Sequence, residues 1–309
     1  MIVRHLENIG EELLPAAVAI GVFDGVHRGH QALLRQAAEV APTVQAVPTA
    51  LTFDPHPSAV LAPARTPALL GTLRERLKLL QAQGAEQIVV ARFDQALAAQ
   101  TPSEFIHEIL LKRLHVRAVV VGEDFRFGCD RSGDVNALRR AGDKHGFVVA
   151  VVPPVFVNSM PARSTTIRQL LTGGKVEEAS LLLGRAYALT GTVVHGRKLG
   201  RTIGFPTANM AIAPGIQIPA DGVYAGTAVL ETGETVRAAV SIGTNPTVTP
   251  STHQRTVEAF LMEGFDRDLY DQTLSVQFVA YLRPTIKFDS LDALIAQMHQ
   301  DIEQAKHHL

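Results

Sequence analysis

The sequence predicts an α/β domain built on a mostly parallel sheet, followed by a mainly β domain that ends in one helix. Three observations carry this. The chain has 309 residues, and domains run ~100–200 residues, so two are expected. Through the first half, short apolar runs alternate with helical patterns, the rhythm of a parallel sheet covered on both faces. Near residue 184 the texture changes to glycine-punctuated segments of β-type composition, which suggest a small barrel or sandwich. The expected domains are therefore residues 1–183 and 184–309.

Element by element, residues 17–23 read as a buried strand and 31–41 as the helix after it. Residues 44–53 read as a strand interrupted at Pro48. Residues 72–83 place Leu73, Leu77 and Leu80 on one helical face. A strand at 87–91 precedes a helix at 101–114, which has a cap-like start in Thr101-Pro102-Ser103-Glu104. Strand 118–121, helix 135–145 and strand 147–152 continue the alternation, and helices at 166–171 and 176–183 close the first part. Strands follow at 187–195, 222–230, 235–242, 257–262 and 273–281. The last helix, 290–307, carries Leu291, Leu294, Ile295, Met298 and Ile302 at helical spacing.

Composition excludes several classes. Lys and Arg number 29 against 30 Asp and Glu, so no global basic field exists to hold nucleic acid. A single cysteine, Cys129, excludes an intrachain disulfide and a Cys-rich zinc cluster. Acidic residues at 7, 11 and 12 precede any apolar run, unlike a secretory leader. No apolar stretch reaches the ~18–20 residues a bilayer span needs. The expectation is a cytoplasmic protein with no membrane or nucleic-acid partner and no obligate protein partner evident.

Gly21-Val22-Phe23-Asp24-Gly25-Val26-His27-Arg28-Gly29-His30 joins the first strand to the first helix. In a parallel sheet that junction lies at the carboxyl end of a strand, where ligands bind. The helix start offers free N–H groups and partial positive charge, which suits phosphate. Gly25 and Gly29 let the backbone approach it, with Gly21, Phe23 and Asp24 as further candidates. A lone histidine here would read as a cap. His27 and His30, three apart, can both donate to phosphate oxygens as charge builds in a transition state. With no obvious nucleophile in the segment, direct attack of one substrate on a nucleotide phosphate is the expected chemistry.

Other segments narrow the choice. Val121-Gly122-Glu123-Asp124-Phe125-Arg126-Phe127-Gly128 follows a predicted strand. Ser164 and Thr165 at a helix start, with Arg168 one turn on, form either caps or a second phosphate clamp. Thr52-Phe53-Asp54-Pro55-His56-Pro57 is a stiff loop that reads as a turn or as a flat wall for a planar ligand. In the second half, Gly196, Gly200 and Gly204 are interleaved with Arg197, Lys198 and Arg201. This is no Walker A loop, since Gly-Lys-Ser/Thr is absent and Pro206 blocks a following helix. It can still wrap phosphates. Thr207 and Asn209, two apart on extended backbone, share a face and suit Mg²⁺. Glu258 is a lone carboxylate in an apolar strand pattern, either an exposed strand residue or a base.

The His-x-Gly-His segment resembles the nucleotide-binding signature of cytidylyltransferase-like nucleotidyltransferases. Taken in order along nearly the whole chain, the motifs resemble the bacterial bifunctional riboflavin kinase/FAD synthetase family. The resemblance implies an N-terminal Rossmann-like FMN adenylyltransferase domain and a C-terminal riboflavin kinase β-barrel with a terminal helix. Riboflavin, FMN and ATP would be the substrates, FMN and FAD the products, and Mg²⁺ the cofactor. Carried over by motif, His27 and His30 would bind ATP phosphates and stabilise the transition state. Asp124 would lie beside the nucleotide, Ser164, Thr165 and Arg168 would complete the phosphate site, and the 53–57 loop with Phe53, Pro55 and Pro57 would help hold flavin. In the barrel, Gly196, Gly200, Arg201 and Gly204 would cradle phosphates, Thr207 and Asn209 would hold Mg²⁺–nucleotide, and Glu258 would be the base. Three departures are visible. Arg163 stands where the family commonly has Ser, and Phe260 where many members have His. Residues 248–251 read Val-Thr-Pro-Ser in place of a Gly-rich flap.

Overall fold

The structure, a computed structural model, describes residues 2–8, 13–196, 204–244, 255–262, 265 and 267–309. By its internal contacts the chain forms two compact units, Met1–Ser164 and Thr165–Leu309.

The first unit is built on a six-stranded sheet: β1 (Ile2–His5), β2 (Ala16–Ile20), β3 (Val47–Asp54), β4 (Gln87–Arg92), β5 (Val116–Gly122) and β6 (Val148–Val152). Its order is β1-β4-β3-β2-β5-β6, and every pairing is parallel. The central strand β2 is buried along its whole length, which is why it reads as an unbroken apolar run. Helices α1 (Arg28–Val40) and α3 (Leu73–Ala82) pack Leu33, Leu34, Ala37 and Leu80 on one face of the sheet. On the other face sits a helix that starts as α5 (Pro102–Glu104) under a Thr101/Glu104 capping box. It continues in π-helical form over Phe105–Arg113. It buries Phe105, Ile106, Ile109 and Leu110, beside Val135 and Leu138 of α6 (Val135–His145). β3 runs through Pro48 because the proline sits at the second residue of the strand, before the fully buried part.

Sequence order and strand order part company between β2 and β5. From β2 the chain moves to β3 on one side, while β5 pairs on the other. That crevice, at the carboxyl ends of β2 and β5, is the switch point where open α/β sheets bind ligands. A two-stranded ribbon, β7 (Phe156–Val157) and β8 (Met160–Pro161), then turns the chain back toward it.

The second unit is a closed barrel of β9 (Tyr187–Val194), β10 (Thr207–Ile212), β11 (Gly222–Leu230), β12 (Thr235–Thr244), β13 (Arg255–Leu261) and β14 (Thr273–Arg283). All its pairings are antiparallel, and the ring closes because β9 pairs with both β10 and β14, which settles the choice between barrel and sandwich. β10 is a strand the residue pattern had shown only as an extended pair, Thr207 and Asn209. Val257, Ala259 and Leu261 are buried, whereas Glu258 and Phe260 alternate onto the outer face. Helix α8 (Val176–Leu183) packs on β9 and β14. The terminal helix α9 (Leu291–His308) covers part of the outer face through Ile302 and Ala305. Its buried Asp301 takes two charge-assisted hydrogen bonds from Arg283, at 2.7 and 2.6 Å, and a third from Gln297. Leu291, first in the predicted apolar stripe, is instead 52% exposed.

Candidate active sites

The first site grows out of the loop between β2 and α1. Phe23 and Val26 have φ of 55° and 40°, and Gly25 has φ of 77°. For non-glycine residues such a backbone costs roughly 1–3 kcal/mol each, so the surroundings must enforce it. They do so at several points. Thr52 Oγ1 donates to Val22 O at 3.0 Å, and Gln31 Nε2 donates to Val26 O at 2.9 Å. The buried Asp24 accepts from Leu70 N–H at 2.9 Å through Oδ1, and its carbonyl accepts from Ser164 Oγ at 2.9 Å. Phe23 is fully buried in the same cluster as Leu33 and Leu34, and each such side chain contributes roughly 1.5–3 kcal/mol. Burial and the strain are of similar size, so this loop can be held taut.

The tautness fixes the two histidines. His27 caps α1, its Nδ1 accepting from His30 N–H at 3.3 Å, which leaves Nε2 as the ring's donor when neutral. The His27 and His30 rings stack with centroids 3.6 Å apart. Gly29 is required by this packing, because a Cβ there would stand 2.9 Å from Ala162 O and 3.1 Å from the His27 ring. His30 Nδ1 is sealed from solvent without a hydrogen-bond partner. Burial, then the neighbouring His27 and the Arg76 guanidinium, hold the His30 imidazole well below its ordinary pKa.

These residues line a cleft of ≈ 330 Å³ at the switch point. Gly21, His27, Gly29, His30 and Leu33 form one wall. Gly122–Phe125 after β5, residues 152–155 after β6, and Ala162 with Arg163 form the rest. Arg163 pairs with Asp124 at 3.2 Å. Phe125 stacks on Phe127 and presents a partly buried aromatic to the cleft.

The second site lies on the outer face of the barrel. In the β10–β13 register Asn209 stands directly opposite Glu258, and Thr207 opposite Phe260. Thr207 Oγ1 donates to Glu258 Oε2 at 3.3 Å. Gly196 closes in from the end of β9: a Cβ there would lie 2.3 Å from Asn209 Nδ2, so only glycine leaves that carboxamide in place. Phe205 packs its ring on Phe260 (5.6 Å) and edge-on to His299 of α9 (5.0 Å). Among the described residues no group of three His, Cys, Asp or Glu could hold a metal ion by itself.

A family model described as FAD synthetase matches residues 10–166, and one described as riboflavin kinase matches residues 183–309. The chain is 35% identical over 305 residues to the bifunctional riboflavin kinase/FMN adenylyltransferase of Haemophilus influenzae, covering 99% of this chain and 98% of that one. It is 38% identical over 302 residues to the protein of the same name from Escherichia coli K12, covering 97% and 95%. The chain belongs to the bifunctional riboflavin kinase/FMN adenylyltransferase family. It phosphorylates riboflavin to FMN in its C-terminal part and adenylylates FMN to FAD in its N-terminal part. The fold is also that of a solved Streptococcus pneumoniae structure described as a macrolide-efflux protein, 32% identical, with a TM-score of 0.89 and 99% of each chain covered. Among the described residues no helix is long and apolar enough to cross a membrane.

Seen as a member of this family, the chain brings some expected residues together and not others. Gly21, Phe23, Asp24, Gly25, His27, Gly29, His30, Asp124 and Ser164 gather in or directly behind the cleft. Thr165 and Arg168 lie on α7 (Ser164–Thr172), in the second unit by contacts. Phe53 packs edge-on to Phe93 and against the core, while Pro55 is exposed and Pro57 opens α2 (Pro57–Leu61) behind a His56 cap. Gly196, Gly204, Thr207, Asn209 and Glu258 are described, whereas Gly200, Arg201 and the 248–251 segment lie outside the described residues. Phe260, in place of the histidine, is packed among Met262, Leu282 and Ile302.

Residue-pattern reasoning missed Arg76. Only 3% exposed, it donates through Nη1 to Thr52 Oγ1 (3.2 Å) and Phe53 O (2.8 Å) and lies 3.9 Å from Asp54. It is thus the charge behind His30. The signal was present: Arg76 falls on the same helical face as Leu73, Leu77 and Leu80, where a charge is out of place.

Proposed function

We propose that FMN is adenylylated in the cleft between β2 and β5, and that riboflavin is phosphorylated on the β10–β13 face. In the cleft an FMN phosphate oxygen attacks the α-phosphorus of ATP, and the bond to pyrophosphate breaks. His27 and His30 donate to the phosphate oxygens, the start of α1 adds its N–H groups, and Ser164, Thr165 and Arg168 complete the phosphate site. Gly21, Phe23, Asp24, Gly25, Gly29 and Asp124 shape the nucleotide pocket, and the loop with Phe53, Pro55 and Pro57 holds flavin.

On the barrel Glu258 takes the proton of the riboflavin hydroxyl as its oxygen attacks the γ-phosphorus of ATP and ADP leaves. Thr207 holds one carboxylate oxygen and leaves the other for the substrate. The observation that carries this assignment is the register that sets Asn209 against Glu258, with Thr207 bonded to the same carboxylate. A hydroxyl and a carboxamide oxygen, held in place by Gly196, suit Mg²⁺, which takes oxygen ligands and keeps several waters. Bound with ATP, the ion neutralises charge developing on the phosphate oxygens. Gly196, Gly200, Arg201 and Gly204 surround those phosphates. The one cysteine, Cys129, is free, which fits a reducing, cytoplasmic setting.

The test is purified protein with riboflavin, ATP and Mg²⁺, with products resolved by chromatography. FAD supports the whole reading. FMN alone limits the protein to its kinase half, and unchanged riboflavin overturns the reading. We place the functional boundary at residue 184. Fragments 165–309 and 184–309 should both make FMN and no FAD; activity in the longer one only would move the boundary to 164/165.

A further inference from the structure

Arg163 and Asp124 both line the adenylylation cleft, and their side chains, 58% and 77% exposed, form an ion pair across it at 3.2 Å. Among the described residues Arg163 is the only lysine or arginine on that lining, which also carries the carboxylates of Glu123 and Asp124. The side-chain charges on that lining are thus one guanidinium against two carboxylates. An exposed pair of this kind stabilises little and is readily exchanged. A phosphate offers the guanidinium fork the same two-oxygen face with more charge. The backbone beneath is held: Ala162 N–H donates to Val155 O at 2.8 Å and Arg163 N–H to Pro161 O at 2.9 Å, behind the β7–β8 ribbon. The side chain therefore pivots from a fixed point at the cleft wall.

We infer that Arg163 is a phosphate ligand for the nucleotide in this cleft, parked on Asp124 in the free protein and exchanged onto the triphosphate when ATP enters. The inference rests on the cleft being the adenylylation site. It gives this chain a charged ligand at the residue before Ser164, where a hydroxyl side chain would offer one hydrogen bond and no charge.

The test measures FAD formation from FMN in Arg163→Ser, Arg163→Lys and Asp124→Asn variants and the Arg163→Ser/Asp124→Asn double variant, with pyrophosphate and adenosine as competing inhibitors. Arg163→Ser should raise KM for ATP and weaken pyrophosphate inhibition by about tenfold, the scale of a lost charged hydrogen bond. Adenosine inhibition should change less than twofold. Arg163→Lys should recover part of the loss, because charge remains and the fork does not. The Arg163→Ser penalty should be larger in the Asp124→Asn background, where no pair has to be broken. An ATP KM within twofold of wild type, or adenosine weakened as much as pyrophosphate, would overturn the assignment while the adenylylation reading stands. Equal penalties in the two backgrounds would overturn the exchange. Wild-type protein that makes no FAD from FMN would overturn the reading and this inference together.

Discussion

On the assignment proposed above, the reacting phosphates meet imidazoles and backbone N–H groups at the start of α1, and a hydroxyl, a carboxamide and a carboxylate on the barrel face. Both sites use ATP, so the reagent does not explain the difference. The nucleophiles do. FMN brings a phosphate monoester whose second pKa is about 6, so it arrives as an anion at neutral pH and needs no base. Riboflavin brings a neutral alcohol, which must lose a proton as it attacks, and the proposed base Glu258 is the carboxylate assigned to take it. The first site therefore invests in a strained loop that aims donors. The second invests in register, setting Asn209 and Thr207 around one carboxylate.

The widest separation of the two half-reactions should come from Glu258→Gln. It keeps shape and removes the proton acceptor, so riboflavin phosphorylation should fall ~10²–10⁴-fold. Conversion of supplied FMN to FAD by the same sample should stay near wild type, and normal kinase turnover would sink the base assignment. His27→Ala should separate them the other way. FAD formation should drop ~10²–10³-fold, the usual loss for one preorganised donor. FMN formation should continue; equal loss of both activities in folded protein would remove the distinction between the sites.

The smallest effect concerns His30 and distinguishes the sites by stability. Its folded pKa is lowered, chiefly by burial, from the ordinary 6.5. As pH falls below about 6.5 the unfolded chain takes up a proton that the folded imidazole refuses, so stability declines from there toward the folded value. Melting temperatures measured between pH 7 and 5 should fall further for wild type than for His30→Gln. Parallel curves would mean the ring is not held neutral.

Much of this was readable from the residues, and the exceptions have physical causes. Parallel strands buried on both faces announce themselves as apolar runs, which is why the strands at 17–23, 87–91 and 118–121 coincide with β2, β4 and β5 to within a few residues. β1 was not readable, because four residues at a sheet edge carry too short a pattern. The meeting of Asn209 with Glu258 was invisible for another reason: cross-strand register is set by pairings far apart in the chain, and local periodicity does not encode it. The same holds for Arg163 on Asp124. Arg76 is legible only as a cation on an apolar helical face, because the groups it bonds, Thr52 and Phe53, lie on β3, distant in the chain. The His-x-Gly-His segment was the most legible, since its spacing, its glycines and its strand–helix junction all act locally.

The closed barrel has a consequence for how the protein is made. Its first strand, β9, pairs with its last, β14, Tyr187 lying opposite Phe278. A nascent chain emerging N-terminus first can assemble the parallel sheet while the barrel is still incomplete, because the last strand of that sheet, β6, ends at Val152. Until β14 leaves the ribosome, β9 and β11 each lack a neighbour and show an open edge to other chains. The adenylylation half is thus ready early, and the kinase half matures in one late closing step. A premature stop before Thr273 would leave a folded first unit carrying a sticky, unclosed sheet behind it.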